Sequence, residues 1–90
     1  MMPNGDWYFG NWIMGEFIKG LARETWPSGN SYVGSFNNRK MDGYGEFTWK
    51  TKGGKKYSGM WKDGKMHGVG KMEWNDGRMV YREYKGGKTV

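Results

Sequence analysis

A tyrosine recurs along this chain at almost constant spacing, and no other feature constrains the fold as strongly. Tyr8, Tyr32, Tyr57 and Tyr81 lie 24, 25 and 24 residues apart. Each of the first three is followed two residues later by glycine and four residues later by a large aromatic residue. A fixed period of this length is the signature of a repeat architecture, in which each unit is one supersecondary element.

Within a unit, the glycine and aromatic residues alternate with a period of two. Residues 57–77 show this most clearly: two alternating segments flank a short polar link that contains Asp63-Gly64, and a second Asp-Gly pair ends the unit at Gly77. Alternation on both sides of a tight Asp-Gly link is typical of an antiparallel β-hairpin. Each repeat is therefore predicted to be one hairpin.

We predict an all-β fold, a single elongated and twisted antiparallel sheet in which about seven strands form a meander. The predicted strands lie near residues 7–13, 20–26, 31–37, 43–50, 56–62, 68–74 and 79–85. The second strand of each hairpin runs from a glycine to a tryptophan six residues later, which makes Gly20, Gly43 and Gly68 equivalent. Helix is disfavoured because glycine recurs every few residues and no apolar spacing of 3.6 is present.

The same alternation predicts which side chains share a face of the sheet. The predicted core face carries Tyr8, Trp12, Ala22, Trp26, Tyr32, Phe36, Phe47, Trp49, Tyr57, Trp61, Met72, Trp74 and Tyr81. In the second and third repeats the opposite face is predicted to be solvated, with Ser35, Asn37, Glu46, Thr48, Ser58, Lys62, Lys71 and Glu73. Aromatic rings take the place of a deep aliphatic core, because only 36% of the residues are hydrophobic and 18% are aromatic.

The first repeat departs from this pattern because it is apolar on both faces and in its link. The candidate protein-interface residues are Trp7, Phe9, Ile13, Met14, Phe17, Ile18 and Leu21. A sheet edge of this kind is rarely left bare. Two interpretations are open: the link folds back and covers the hairpin, or the hairpin contacts a second copy or another protein.

Basic residues are concentrated in the later repeats. The net charge is +6, and residues 31–90 hold thirteen basic side chains against six acidic ones. The candidate anion- or lipid-binding residues are Lys50, Lys52, Lys55, Lys56, Lys62 and Lys65. Lysines around the exposed backbone of Gly53-Gly54 suit a phosphate group or an acidic lipid head group. The alternative is a solvated turn without a ligand.

The aromatic face suggests another use besides a core. The candidate aromatic groove consists of Tyr32, Phe36, Trp49, Tyr57, Trp61 and Trp74. Stacked rings beside basic turns suit a planar, small anionic ligand, and a single sheet has no second layer to cover them. We do not expect a nucleic-acid partner.

Catalytic and metal-binding chemistry finds no support in the sequence. His67 is the single histidine, cysteine is absent, and the nine carboxylates form no close pair on one face. The segment 64–71 superficially resembles a phosphate-binding loop, but five residues separate its glycines and no Ser or Thr follows Lys71. We therefore predict a protein that is not an enzyme, without catalytic residues, metal site or cofactor.

The third repeat closely resembles the MORN repeat (membrane occupation and recognition nexus). The matching positions are Tyr57, Gly59, Trp61, Gly64, His67, Gly68, Gly70, Trp74 and Gly77. The second repeat has Arg39 and Asp42 where the pattern has Gly and His, and the first has Ala22 for the second glycine. The resemblance implies a single domain over residues 1–90, with repeats near 8–31, 32–56 and 57–80 and a partial fourth at 81–90. Proteins with such repeats bind acidic phospholipids, dimerise or scaffold other proteins.

These observations lead to one expected function and two alternatives. We expect a non-enzymatic binding or scaffold module that recognises a protein partner and forms a homodimer through the apolar first repeat. The first alternative is an acidic phospholipid adaptor that uses the basic turns, and the second is an oligomer that sequesters a phosphorylated or nucleotide-like molecule. The absence of a signal-peptide pattern and of a long apolar run favours a cytoplasmic protein, with peripheral membrane contact under the first alternative.

Overall fold

The computed structural model describes residues 5–50 and 53–89, which form one sheet of eight antiparallel strands. The strands are β1 Trp7–Ile13, β2 Glu16–Thr25, β3 Ser31–Asn37, β4 Lys40–Trp49, β5 Lys55–Lys62, β6 Lys65–Trp74, β7 Met79–Lys85 and β8 Lys88–Thr89. Each strand pairs with the next one along the chain, and the molecule measures 41 × 27 × 15 Å. The predicted all-β meander is confirmed, with one short additional strand at the end.

Tight links explain why the second strand of each hairpin is longer than predicted. Two residues connect the strands of the first three hairpins, and positive φ angles occur at Met14 (51°), Asn38 (52°) and Asp63 (51°). Positive φ at both central residues is the requirement of the type I′ turn, whose twist matches that of the flanking strands. Strands β2, β4 and β6 therefore begin three to four residues earlier than the predicted positions 20, 43 and 68.

The core is a continuous series of rings on one face of the sheet, which we call the core face. Its buried residues are Ala22, Tyr32, Phe36, Tyr57, Trp61, Met72 and Tyr84. Tyr57 packs edge-to-face against both Trp61 and Tyr84, with ring centroids 5.3 Å apart in each pair. Tyr32 makes the same arrangement with Trp61 at 5.5 Å and with Phe36 at 5.1 Å. Such pairs contribute roughly 0.5–1.5 kcal/mol beyond the burial of their area.

Two of the core tyrosines, Tyr32 and Tyr57, each lie across a pair of glycines on neighbouring strands. Gly59 pairs with Gly70, and a side chain at either position would come within 3.0 Å of the Tyr57 ring. The Tyr57 hydroxyl donates a hydrogen bond to the Met60 carbonyl (3.0 Å), so the ring is held at both ends. The bare backbone makes room for the ring, and the ring in turn removes that backbone from water.

The buried tyrosine hydroxyls give the fold a pH dependence in alkaline solution. Burial raises the pKa of the Tyr32 hydroxyl above its ordinary value of 10.0, and burial together with the neighbouring Tyr84 does the same for Tyr57. Above pH 10 the unfolded chain loses these protons while the folded chain keeps them. The native state then binds more protons than the unfolded state, so the free energy of unfolding falls as the pH rises.

We therefore expect the urea midpoint to decrease as the pH is raised above 10, measured by circular dichroism. The ultraviolet absorbance of tyrosinate reports ionisation of the tyrosines. We expect the exposed tyrosines to ionise first and the buried ones to ionise only as the protein unfolds. In Tyr57→Phe the decrease should be shallower, because one linked proton is removed. A midpoint that stays constant while all tyrosines ionise would contradict this prediction.

The fourth repeat is offset by one residue from its predicted alignment. Tyr81 pairs with Lys71 and is 68% exposed, so its predicted place on the core face is wrong. Tyr84, which pairs with Gly68, takes the core position that Trp61 holds in the third repeat. Since successive side chains point to opposite faces, a shift of one residue moves a side chain to the other side of the sheet.

The first strand is displaced by two residues relative to the other hairpins. Gly34 lies opposite Gly45, whereas Gly10 lies opposite Gly20 and not opposite Ala22. The pairing of β2 with β3 is not displaced. Gly20 pairs there with Phe36, just as Gly43 pairs with Trp61 between β4 and β5. The predicted equivalence of Gly20 and Gly43 therefore holds in the pairing with the following strand. A shift of two residues leaves every side chain of β1 on its predicted face.

Candidate functional site

The first hairpin forms an open edge of the sheet. β1 pairs only with β2, so among the described residues its other side has no strand partner. The start of β1 is held in place by the buried Asp6, whose carboxylate accepts hydrogen bonds from the Thr25 backbone N–H (3.0 Å) and hydroxyl (2.9 Å). The edge strand is therefore well anchored to its neighbour, and no other described strand occupies its second side.

The candidate interface residues of the first repeat do not share one surface. Trp7, Phe9, Ile13 and Leu21 lie on the face opposite the core, which we call the outer face. Phe17 lies on the core face and packs against Tyr8 at 5.2 Å and Phe36 at 6.0 Å. Met14 is in the two-residue link and is 97% exposed, so this link does not fold back over the hairpin. Ile18 is the unpaired residue of a bulge between Phe17 and Lys19.

A shallow cleft lies where the first hairpin meets the second on the core face. Tyr8, Trp12 and Phe17 form its apolar wall, and its volume is about 410 Å³. An ion pair between Glu16 and Arg39 (2.7 Å) closes one side. Burial and then the charge of Asp6 raise the pKa of Glu24, which also lines this cleft. No sequence pattern predicted the cleft, because its walls come from three strands.

The candidate anion-binding lysines are not clustered in space. Lys55 and Lys56 lie at the start of β5, whereas Lys62 lies at its end and pairs with Lys65 across the hairpin tip. At about 3.4 Å per residue, the two groups are roughly 24 Å apart along the strand. Lys55 and Lys56 also point to opposite faces, and Lys50 is exposed at the preceding turn. Lys52 lies outside the described residues.

The lysines at the hairpin tips belong to a larger basic surface. The outer face at this end of the sheet presents Lys19, Lys40, Lys62, Lys65, Lys85 and Lys88, all of them exposed. We call this set the tip lysines. They come from all four hairpins, which explains why no single stretch of sequence reveals them.

The six residues of the candidate aromatic groove fall into two groups. Tyr32, Phe36, Tyr57 and Trp61 are buried in the core and cover one another. Trp49 and Trp74 are half-buried, with Lys55 over the Trp49 ring (5.0 Å) and Arg78 over the Trp74 ring (5.1 Å). A cleft of about 610 Å³ lies beside Trp74, lined by Gly53, Gly54, Lys55, Asn75, Asp76 and Arg78. Of the six predicted groove residues, Trp49 and Trp74 are therefore the two that remain partly accessible.

The outer face carries an exposed apolar row, of which the sequence interpretation identified only Phe9 and Leu21. It consists of Phe9, Leu21, Tyr44, Met60 and Val69, which we call the outer row. Phe9 pairs directly with Leu21, and Tyr44 pairs directly with Met60. Gly59 pairs with Gly70. Met60 follows Gly59 and Val69 precedes Gly70, so Met60 and Val69 lie side by side on neighbouring strands. Each member stands next to a core glycine in the sequence, so period-two alternation was the signal that could have identified it.

Neither a cluster of metal ligands nor a membrane-spanning helix occurs in the described part of the chain. Residues 5–50 and 53–89 bring no three His, Cys, Asp or Glu side chains together as metal ligands. Over the same residues, no helix is long and apolar enough to cross a membrane.

Comparison with known proteins agrees with the hairpin architecture. A family profile described as MORN repeat matches residues 8–31, 32–54 and 57–77, which is most of the chain. The three matches coincide with the first three hairpins and the turns that follow them. A search of curated proteins gives no significant match.

Proposed function

From the premise that this chain belongs to the MORN-repeat family, a non-enzymatic repeat type consistent with binding or scaffolding, we propose that it is a protein-binding module that self-associates through its first hairpin. The observation that carries the proposal is the open edge of β1. Its backbone groups are unpaired on one side within the described residues, and Phe9 on the outer face is 75% exposed. Edge strands of this kind are templates for pairing with another chain.

A second copy is a suitable occupant of this edge. β1 is seven residues long with Gly10 at its centre, so two copies can pair antiparallel about a twofold axis and continue the sheet. Charged residues are the usual protection of an edge against such pairing. β1 carries none, whereas the last long strand, β7, carries Arg82, Glu83 and Lys85. Pairing through β1 also covers Phe9, Ile13 and Trp12, which are exposed in the single chain.

We expect sedimentation equilibrium at micromolar concentration to give a dimer for the wild type and a monomer for Phe9→Asp. The charge would lie at the pairing edge, where it is desolvated without a partner. Phe9 is exposed in the single chain, so the variant should fold normally, which circular dichroism checks.

Val69→Asp is the matched control, because Val69 is also an exposed apolar residue of the outer face but lies on β6. Its mass should equal that of the wild type. A monomeric wild type, or an equal effect of the two variants, would overturn the proposal of self-association.

A further inference from the structure

We infer that the outer face binds an amphipathic α-helix of a partner protein whose apolar stripe has acidic residues along one side. The surface involved is the outer row together with the tip lysines that run beside it. Phe9 and Leu21 belong to the first hairpin, but Tyr44, Met60 and Val69 lie on β4, β5 and β6, so the inference does not depend on pairing through β1.

The length and direction of the outer row fit a helix lying across the strands. The row takes one side chain from most strands between β1 and β6, with Ser35 in the place between Leu21 and Tyr44. Neighbouring strands are about 4.8 Å apart, so five intervals span roughly 24 Å. An α-helix of this length has about 16 residues, and its apolar stripe is wide enough to cover a row of single side chains. An extended peptide would instead add to a sheet edge, because the outer face offers it no unpaired backbone groups.

The exposure of the row is the physical reason to expect a partner for it. Val69 is 63% exposed and Tyr44 is 55% exposed, and both lie in the middle of the sheet and not at an edge. Isolated surface apolar residues are common, but a series that is interrupted at Ser35 alone and rimmed by polar residues is typical of an interaction surface.

Charge decides the chemistry of the partner. Lys62 follows Met60 by two residues on the same strand, and Lys19 precedes Leu21 by two, so the tip lysines lie about 6–7 Å to one side of the row. A helix has a radius of about 5–6 Å, so side chains on one flank of a helix centred on the row would lie over these lysines. Asp42 also lies on this side, beside Lys19 and Leu21, but the six lysines outnumber it. The flank of the helix is therefore complementary if it carries mainly Asp or Glu, because basic residues there would be repelled.

The opposite flank shows no such bias. The next row of the outer face runs through Arg23, Val33, Glu46, Ser58 and Lys71 to Tyr81. Its positive and negative side chains are interspersed, and Glu46 lies within 3.9 Å of Lys56. We therefore expect acidic residues on one side of the partner helix only, which distinguishes it from a uniformly acidic segment.

A displayed peptide library tests the inference with the full chain as the target. The library has apolar residues fixed at helical spacing i, i+3, i+4 and i+7 over about 16 positions, and all other positions are randomised. We expect the enriched sequences to carry Asp or Glu along one side of the apolar stripe. Single enriched peptides should bind the Met60→Asp variant about tenfold or more weakly than they bind the wild type. Their affinity for the wild type should decrease as salt is added, because salt screens the charged contacts.

Charge reversal provides the matched control. The double variant Lys62→Glu, Lys65→Glu should weaken binding about tenfold, and a peptide with its acidic residues changed to Lys should bind that variant better than it binds the wild type. Lys50→Glu, Lys56→Glu changes the net charge equally at the other end of β5 and should leave the affinity unchanged. Circular dichroism and sedimentation of each variant separate loss of this site from unfolding or from failure of the β1 interface.

Four outcomes would overturn the inference: a library that yields no binder, binders without acidic bias, equal effects of the two charge reversals, or a change of dimer mass in Met60→Asp. The last would assign the row to a second copy. Vesicles of phosphatidylcholine with phosphatidylserine are tested in parallel. Vesicle binding that depends on Lys62 and Lys65, combined with an empty peptide selection, would assign the same surface to an anionic membrane.

Discussion

Tyr57→Ala should be among the most destabilising single substitutions in this protein, reducing the free energy of unfolding by about 3–5 kcal/mol. The ring is fully buried (0% exposed) and packs edge-to-face against Trp61 and Tyr84. It also covers the Gly59–Gly70 pair, which its loss would expose to water. For a domain of this size, the melting temperature should fall by roughly 15–30 °C, measured by calorimetry.

Two further variants separate the causes of this loss. Tyr57→Phe removes only the hydroxyl that donates to the Met60 carbonyl, and it should cost about 1 kcal/mol. Tyr81→Ala truncates an exposed tyrosine of the outer face and should change the free energy by less than about 0.5 kcal/mol. If Tyr81→Ala were as damaging as Tyr57→Ala, the assignment of Tyr81 to the outer face would be wrong.

Gly70→Ala should have the second largest effect, a loss of about 2–3 kcal/mol from a single added methyl group. The three atoms nearest to the new Cβ all belong to the Tyr57 side chain, two of the ring and the hydroxyl oxygen, at distances that real Cβ atoms do not show. Gly70 does not have a positive φ, so backbone strain does not contribute. The cost arises because the ring is enclosed by Trp61 and Tyr84 and cannot move aside.

A double-mutant cycle with Tyr57→Ala checks this explanation. Urea unfolding in a stabilising osmolyte keeps folded baselines for all variants. Once the ring has been removed, Gly70→Ala should cost less than about 1 kcal/mol, so the two effects should be strongly non-additive. Additive effects would show that the alanine disturbs the paired strands themselves and not the ring.

Both substitutions test an arrangement that repeats along the chain. Tyr32 lies across Gly34 and Gly45 as Tyr57 lies across Gly59 and Gly70, and its hydroxyl donates to the Ser35 carbonyl (2.9 Å). The repeats are also linked at their tips: Gly64 donates its backbone N–H to the Met41 carbonyl (2.8 Å), and Gly87 donates to Met66 (3.0 Å). Each hairpin is thus supported by its neighbour, which makes a thin single sheet stable as an array.

The proposed surfaces follow from the same single-layer construction. One face is used for the aromatic core, so the other face and the first edge remain available for partners. The edge of β1 suits a second copy, and the outer row with the tip lysines suits an acidic amphipathic helix. Phe9 belongs to both surfaces, so the proposals are separated by Met60→Asp, which changes the face alone, and by the measured quantity. Dimer mass tests the edge and peptide affinity tests the face, so each proposal can fail without the other.

Much of the fold was predictable because local patterns specify it. Tyrosine spacing, period-two alternation and Asp-Gly links predicted hairpins, their order and the antiparallel meander. The prediction was less accurate where small differences in turn length matter. The turn between β6 and β7 places Val80, and not Tyr81, in the position equivalent to Tyr57. The candidate sites were less predictable still, because residues such as Lys19 and Lys85 are far apart in the sequence.

By itself the sequence determined the repeat, the hairpin and the family, since these depend on residues within one unit of about 24 residues. The tertiary structure decided which side chains meet between units. It shifted β1 by two residues, buried Tyr84 in place of Tyr81, and separated Lys55 and Lys56 from Lys62 and Lys65. It also aligned the outer row and the tip lysines across the sheet. The physical reason is that strand register sets both the face and the neighbours of every side chain, and register is established by pairing between strands rather than by the pattern within one of them.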